Sequence, residues 1–179
     1  MLAIIDNGKG AEEIARFVRI PKEIIKPTEA EKSRASAFIL SDGDAKHQRA
    51  NEKLIKNINK PLLAIGAGYI FLGAAYGAKT KGAKFERMDR VKIEHPCPLT
   101  LDLKKVFSVV QSCRQAFQEL PENFTVIASS PKYAYKIIQE SEKPFFGVHF
   151  NPEMGADGMK IIDNFVKFVS IWEKYHREK

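Results

Sequence analysis

Cysteine is scarce in this chain of 179 residues, which carries two, Cys97 and Cys113. Their spacing is neither that of a zinc ribbon nor that of a C-x-x-C redox pair, which excludes a disulfide scaffold and a cysteine-held metal. Two thiols without a secretion signal point to a reducing compartment, so a cytoplasmic protein is expected. Long apolar segments are also missing. The N-terminus is apolar over Met1–Ile5 and then meets Asp6, too short for a signal peptide or a membrane span. His47, His95 and His176 lie in polar or loop contexts without metal-ligand spacing, and no cofactor is expected.

A basic run interleaved with aromatics is absent too. The formal charge is +7, from 29 basic and 22 acidic residues, but the lysines are scattered, as in Lys22, Lys46, Lys53 and Lys60, with acids between many of them. That pattern describes a solvated surface. A nucleotide- or nucleic-acid-binding module that exploits the charge remains an alternative, to be recognised by a steep fall of affinity with salt.

What is present is a core and an order. With 44% hydrophobic composition the chain can bury a proper interior, and residues 1–179 read as one domain with no linker, repeat or low-complexity segment. Leu2–Ile5, Lys22–Lys26, Ala37–Leu40 and Pro61–Ile65 are short strands separated by helical patterns, the signature of a mainly parallel sheet with helices on both faces. Pro27 and Thr28, with Glu31 beyond, give the spacing of a capped short helix. In the second half, Lys79–Ile93, Phe124–Ala128, Tyr133–Gln139 and Phe145–Phe150 read as strands of a small antiparallel section. Ile161, Ile162, Phe165, Val166, Val169 and Trp172 form one apolar stripe on a closing helix from about Gly158.

Pro61–Ile65 runs into Gly66-Ala67-Gly68, a strand, a sharp turn and a helix, where many α/β hydrolytic enzymes mount a nucleophile. Taken in order, Asp6-Asn7-Gly8, Ile39-Leu40-Ser41-Asp42-Gly43, the turn at Gly66, Pro121-Glu122-Asn123-Phe124 and Gly147–Glu153 resemble the class I glutamine amidotransferases, and within them the amidotransferase subunits of archaeal-type GMP synthetase. The resemblance implies a three-layer, flavodoxin-like α/β fold and a triad of Cys, His and Glu. A thiolate attacks the amide, an imidazole moves the proton and a carboxylate orients the imidazole.

Carried over residue by residue, the resemblance puts Gly66 in the place of the Cys, Asn151 in that of the His, and Glu153 in that of the Glu. A carboxamide accepts no proton near neutral pH. Ala67 and Gly43 would supply the N–H groups that face a developing oxyanion, though Asp42 and Asp44 beside Gly43 are expected to repel negative charge. Ser112 and Cys113 fall where the family lines its glutamine pocket, and Tyr69 and Ile70 take the Gln and Ile positions after the turn. His149, two residues before Asn151, is expected on the same strand face about 7 Å away. It is read as a packing or hydrogen-bonding residue, Cys113 as an inert buried thiol, and Glu153 as an ion-paired or helix-capping carboxylate.

Three functions follow. One is a non-catalytic amidotransferase-like protein that binds a ligand or a partner, by resemblance the ATP-pyrophosphatase subunit of GMP synthetase. Another is a working amidotransferase with relocated residues, Cys113 and His149. The third is the basic binding module.

Overall fold

The computed structural model describes residues 1–177. Four parallel strands come first, β1 (Leu2–Ile5), β2 (Lys22–Ile25), β3 (Ala37–Leu40) and β4 (Leu62–Ile65), with α1 (Ala11–Phe17), α2 (Gln48–Asn57) and α3 (Ala67–Ala75) connecting or following them. The second half adds β5 (Met88–Ile93), β6 (Val106–Val110), β7 (Phe124–Ser130), β8 (Tyr133–Glu140) and β9 (Phe145–Val148), and ends in α4 (Met159–Arg177). All nine strands join one sheet in the order β2-β1-β3-β4-β9-β8-β7-β5-β6. β9 lies parallel to β4, and from β9 outward every pairing is antiparallel. The three-layer α/β expectation holds, and so does the antiparallel section.

Strands buried on both faces explain the uninterrupted apolar runs. In β1, Leu2 and Ile4 enter the layer completed by α1 and α4, while Ala3 and Ile5 enter the layer completed by α2 and α3. α4 buries Ile161, Ile162, Phe165 and Val169, each contributing roughly 1.5–3 kcal/mol of apolar transfer before entropy is counted.

Several local readings change. Pro27–Lys32 is a 3₁₀ turn, and the carboxylate that folds back onto its start belongs to Glu29, which accepts the Lys26 N–H at 3.1 Å. Residues 45–47 form another such turn before α2. Val106–Val110 is a strand that the sequence did not announce, as is Gln115–Phe117, which pairs with Thr80–Gly82 in a two-stranded ribbon outside the main sheet. β9 stops at Val148, so His149 and Asn151 lie beyond the strand. A second ribbon pairs Gly8 and Lys9 with Gly43 and Asp42 over the carboxyl ends of β1 and β3. No helix among the described residues is long and apolar enough to cross a membrane.

Candidate functional site

The site lies at the carboxyl end of the parallel strands, where β4 gives way to α3. Gly66 links them at φ 56° and ψ −113°, a backbone state open to glycine and strained for other residues. Gly68, the second residue of the helix, touches β3 so closely that a Cβ there would fall 2.7 Å from the Leu40 carbonyl oxygen. The elbow expected from the sequence is therefore present, and its tip carries no side chain.

Asp42 fills the space in front of it. A Cβ placed on Gly66 would fall 2.6 Å from the Asp42 carboxyl carbon. Asp42 Oδ1 accepts the N–H of Ala67 at 2.8 Å and that of its own neighbour Gly43 at 2.9 Å. Asp42 Oδ2 accepts from Ser112 Oγ at 3.0 Å and from Asn151 Nδ2 at 3.0 Å, with Lys9 Nζ 3.6 Å away. Asp42, expected only to stand beside the N–H groups and repel an anion, is itself the acid that faces them, and Asp44 is exposed and paired with Lys46 at 3.2 Å. Gly43 is held to glycine by contact, since a Cβ there would lie 1.8 Å from the Asn7 carbonyl oxygen.

Asn151 links the two sides of the network. Its Nδ2 donates to Asp42 Oδ2 and to Glu153 Oε1, each at 3.0 Å, and its Oδ1 accepts the Ser112 N–H at 2.8 Å. Both amide hydrogens are thus committed. Glu153 is buried, and among the described residues neither a salt bridge nor a partner for its Oε2 is found, which corrects the ion-paired reading. Burial pushes its pKa up to about 7.

Cys113 and His149 sit beside this network in different surroundings. His149 Nε2 lies 2.8 Å from the Gln115 carbonyl oxygen, and Cys113 Sγ donates to that same oxygen at 3.5 Å. A carbonyl only accepts, so Nε2 carries the imidazole proton and Nδ1, without a partner among the described residues, holds the lone pair. Tyr69, Phe85 and Tyr133 pack around the ring. Burial and the nearby Lys136 ammonium lower the His149 pKa to about 4, while burial pushes the Cys113 thiol up to about 11. The shared strand face expected for His149 and Asn151 does not exist, because the chain leaves the strand at Val148.

The profile of the family described as glutamine amidotransferase class-I matches residues 5–168. The chain belongs to the class I glutamine amidotransferase family. A protein from Pyrococcus abyssi, named as one of the subunits of glutamine-hydrolyzing GMP synthase, is 28% identical to it, with 93% of this chain and 97% of that one aligned. The protein of the same name from Methanopyrus kandleri is also 28% identical, with the same coverage. Among solved structures, a GMP synthase subunit protein from Thermoplasma acidophilum superposes with a TM-score of 0.90 at 21% identity, covering 98% of this chain and 96% of that one. A glutamine amidotransferase from Thermotoga maritima gives 0.70 at 18% identity, covering 99% and 85%. Those two likenesses establish the fold.

As an amidotransferase fold, the chain brings together most of what its motifs implied. Gly43, Gly66, Ala67, Ser112, Asn151 and Glu153 form one cluster, with Cys113 and His149 against its aromatic flank. Sequence reasoning missed Lys9, whose Nζ donates to Ser112 Oγ at 2.5 Å, and the buried pair of Lys136 with Asp89, 2.9 Å apart. It also missed the part played by Asp42. The available signal was Asp42 itself, an acid directly before the Gly43 N–H, together with Gly66 at the place where the resemblance implies a larger side chain. Among the described residues no group of three or more His, Cys, Asp or Glu could hold a metal.

Proposed function

We propose that this protein is an amidotransferase-fold subunit that does not hydrolyse glutamine and acts by binding, its partner being the ATP-pyrophosphatase subunit that completes a GMP synthetase. One observation carries the reading: the space where a nucleophilic side chain would leave the elbow is taken by the Asp42 carboxyl group. Asn151 adds to it, since both hydrogens of its amide are committed to carboxylates and it has no basic nitrogen to receive a proton. The name shared by the relatives supports the choice of partner, because a protein named as one of several subunits implies a companion.

The alternative with Cys113 and His149 as a relocated pair is disfavoured. A nucleophilic thiol needs a lowered pKa and a base facing it. Here the thiol is raised, the imidazole is lowered, and both donate to one carbonyl oxygen.

The test is ammonia release from glutamine by the purified protein, alone and with the synthetase subunit, XMP and ATP, alongside gel filtration of the two subunits together. The expected result is ammonia no higher than a heat-inactivated control, with co-elution of the subunits. Turnover in either condition overturns the non-catalytic reading, and separate elution overturns the partner.

A further inference from the structure

The contacts of Asp42 are those of a bound ligand. A carboxylate offers about four lone-pair directions, and here they meet two backbone N–H groups, a hydroxyl and a carboxamide. The donors come from segments far apart in sequence, at Gly43, Ala67, Ser112 and Asn151, and the half-exposed Lys9 ammonium adds its charge from the rim. Ser112 has one hydroxyl proton and two acceptors within reach, Asp42 Oδ2 at 3.0 Å and Asn151 Oδ1 at 3.1 Å. The carboxylate is the stronger acceptor of the two, so the proton goes to Asp42. Two N–H donors 2.8 and 2.9 Å from a single oxygen have the spacing of a hole built to hold an oxyanion.

We propose that the elbow is a carboxylate-binding site whose resident ligand is the protein's own Asp42, closed to external acids and amides while that side chain is in place. The inference rests on the non-catalytic reading above and adds its physical cause: a glutamine carboxamide cannot set its oxygen between the Gly43 and Ala67 N–H groups, because that position is filled. The ligand class follows from the size of the occupant. Removing the side chain as far as glycine vacates the volume of an acetate ion, and removing it as far as alanine vacates that of a formate ion. Asp42→Gly is therefore a receptor for acetate and Asp42→Ala one for formate, with Lys9 and Ser112 lining the entrance.

The test is a pair of titrations. In thermal unfolding, Asp42→Ala loses about 5–10 °C, because donors are left unpaired in a buried site. Potassium formate restores the loss in a saturable manner, whereas potassium chloride at equal ionic strength and neutral formamide do not, and the wild type is indifferent to all three. In heteronuclear NMR spectra, the Gly43 and Ala67 amide resonances of Asp42→Gly move with acetate, and those of the wild type do not. A formate effect no larger than that of chloride overturns the proposal. So does movement of the wild-type resonances with acetate, which would mean the hole is open. Should both truncations fail to fold, Asp42→Asn keeps the shape and replaces one oxygen by NH₂. The same two amide resonances shift on that substitution, and unchanged positions overturn the proposal. None of these readouts involves turnover, so ammonia release by the wild type would sink the non-catalytic reading separately from the carboxylate site.

Discussion

The polar network around Asp42 and the aromatic box around His149 meet at Ser112–Gln115, yet they settle their buried polar groups in opposite ways. In the network the acid is met by donors, two from the backbone and two from side chains. In the box, polar atoms are few and mostly walled by rings. Tyr69 Oη donates to the Tyr135 carbonyl at 2.7 Å, leaving the Tyr133 hydroxyl, 2.9 Å away, as the donor between the two tyrosines. The buried cation of the box, Lys136 Nζ, stands 5.0 Å from the Phe85 ring centre and 2.9 Å from Asp89 Oδ2. On the reading proposed above, the saturation of Asp42 closes the first region to an incoming ligand. Desolvation makes the second inert toward proton transfer, since it moves thiol and imidazole away from the pH range where they would work as a pair.

Breaking one charge in each region measures the contrast. The largest effect is expected in the box. Asp89→Ala leaves the Lys136 ammonium buried without its counter-charge, which costs about 3–5 kcal/mol, a fall in Tm of roughly 10–15 °C for a chain of this size. Asp42→Ala in the network costs less, because it leaves N–H dipoles unpaired and strands no full charge. Thermal unfolding of the two variants side by side checks the order. The reverse order would mean that the Lys136 pair is solvated and that the network holds the larger electrostatic stake.

pH separates the regions next. Glu153 rises from its ordinary 4.5 to about 7 in the fold, so the folded state retains a proton that the unfolded chain has lost. Its contribution is present below pH 4.5 and is lost as pH rises toward 7. His149 falls from 6.5 to about 4. Its contribution is full above 6.5 and is lost as pH drops toward 4. Each shift corresponds to roughly 3 kcal/mol, and between pH 4.5 and 6.5 the two slopes oppose each other. Glu153→Gln is expected to leave a stability that climbs with pH across that window, and His149→Gln one that declines, while the wild type is flatter than either. Urea unfolding at half-unit pH steps reads all three curves. Identical slopes in the two variants would show that neither group titrates as its burial requires.

How much of this was legible in the sequence depends on where the information sits. β1, β3 and β4 were visible because a strand buried on both faces has no polar positions to blur it. The elbow was visible because Gly66 and Gly68 satisfy backbone demands that few other residues meet. Val106–Val110 was missed, since its mixed exposure at the sheet edge breaks any simple alternation. His149 was misplaced because strand parity assumes two further extended residues after Val148, where the strand has already ended. Asp42 was noticed and only half read: the sequence showed an acid beside the N–H donors, but only the fold reveals that its side chain turns onto them and into the room left by Gly66. The charge expected to repel an outside anion is itself the occupant.

The smallest effect separates the regions most finely, through Cys113. Its thiol touches the box on one side and feels the Asp42 and Lys9 charges of the network on the other, with burial the dominant influence. A rise from 9.0 to about 11 means about 100-fold less thiolate at pH 8 than an unperturbed cysteine would have. Alkylation by iodoacetamide at Cys113, followed by peptide mass spectrometry, should be slower than that of a free thiol by at least this factor and should keep accelerating beyond pH 10. Cys113→Ala should cost about 1 kcal/mol of stability or less and leave partner binding unchanged. Because the two thiols are both buried, the reading must be made at the Cys113 peptide, with Cys113→Ala as the blank. Alkylation at the rate of a free thiol would mean that the box opens to solvent, and the contrast between a saturated Asp42 and a desolvated box would fail on the side that disfavours Cys113 as a nucleophile.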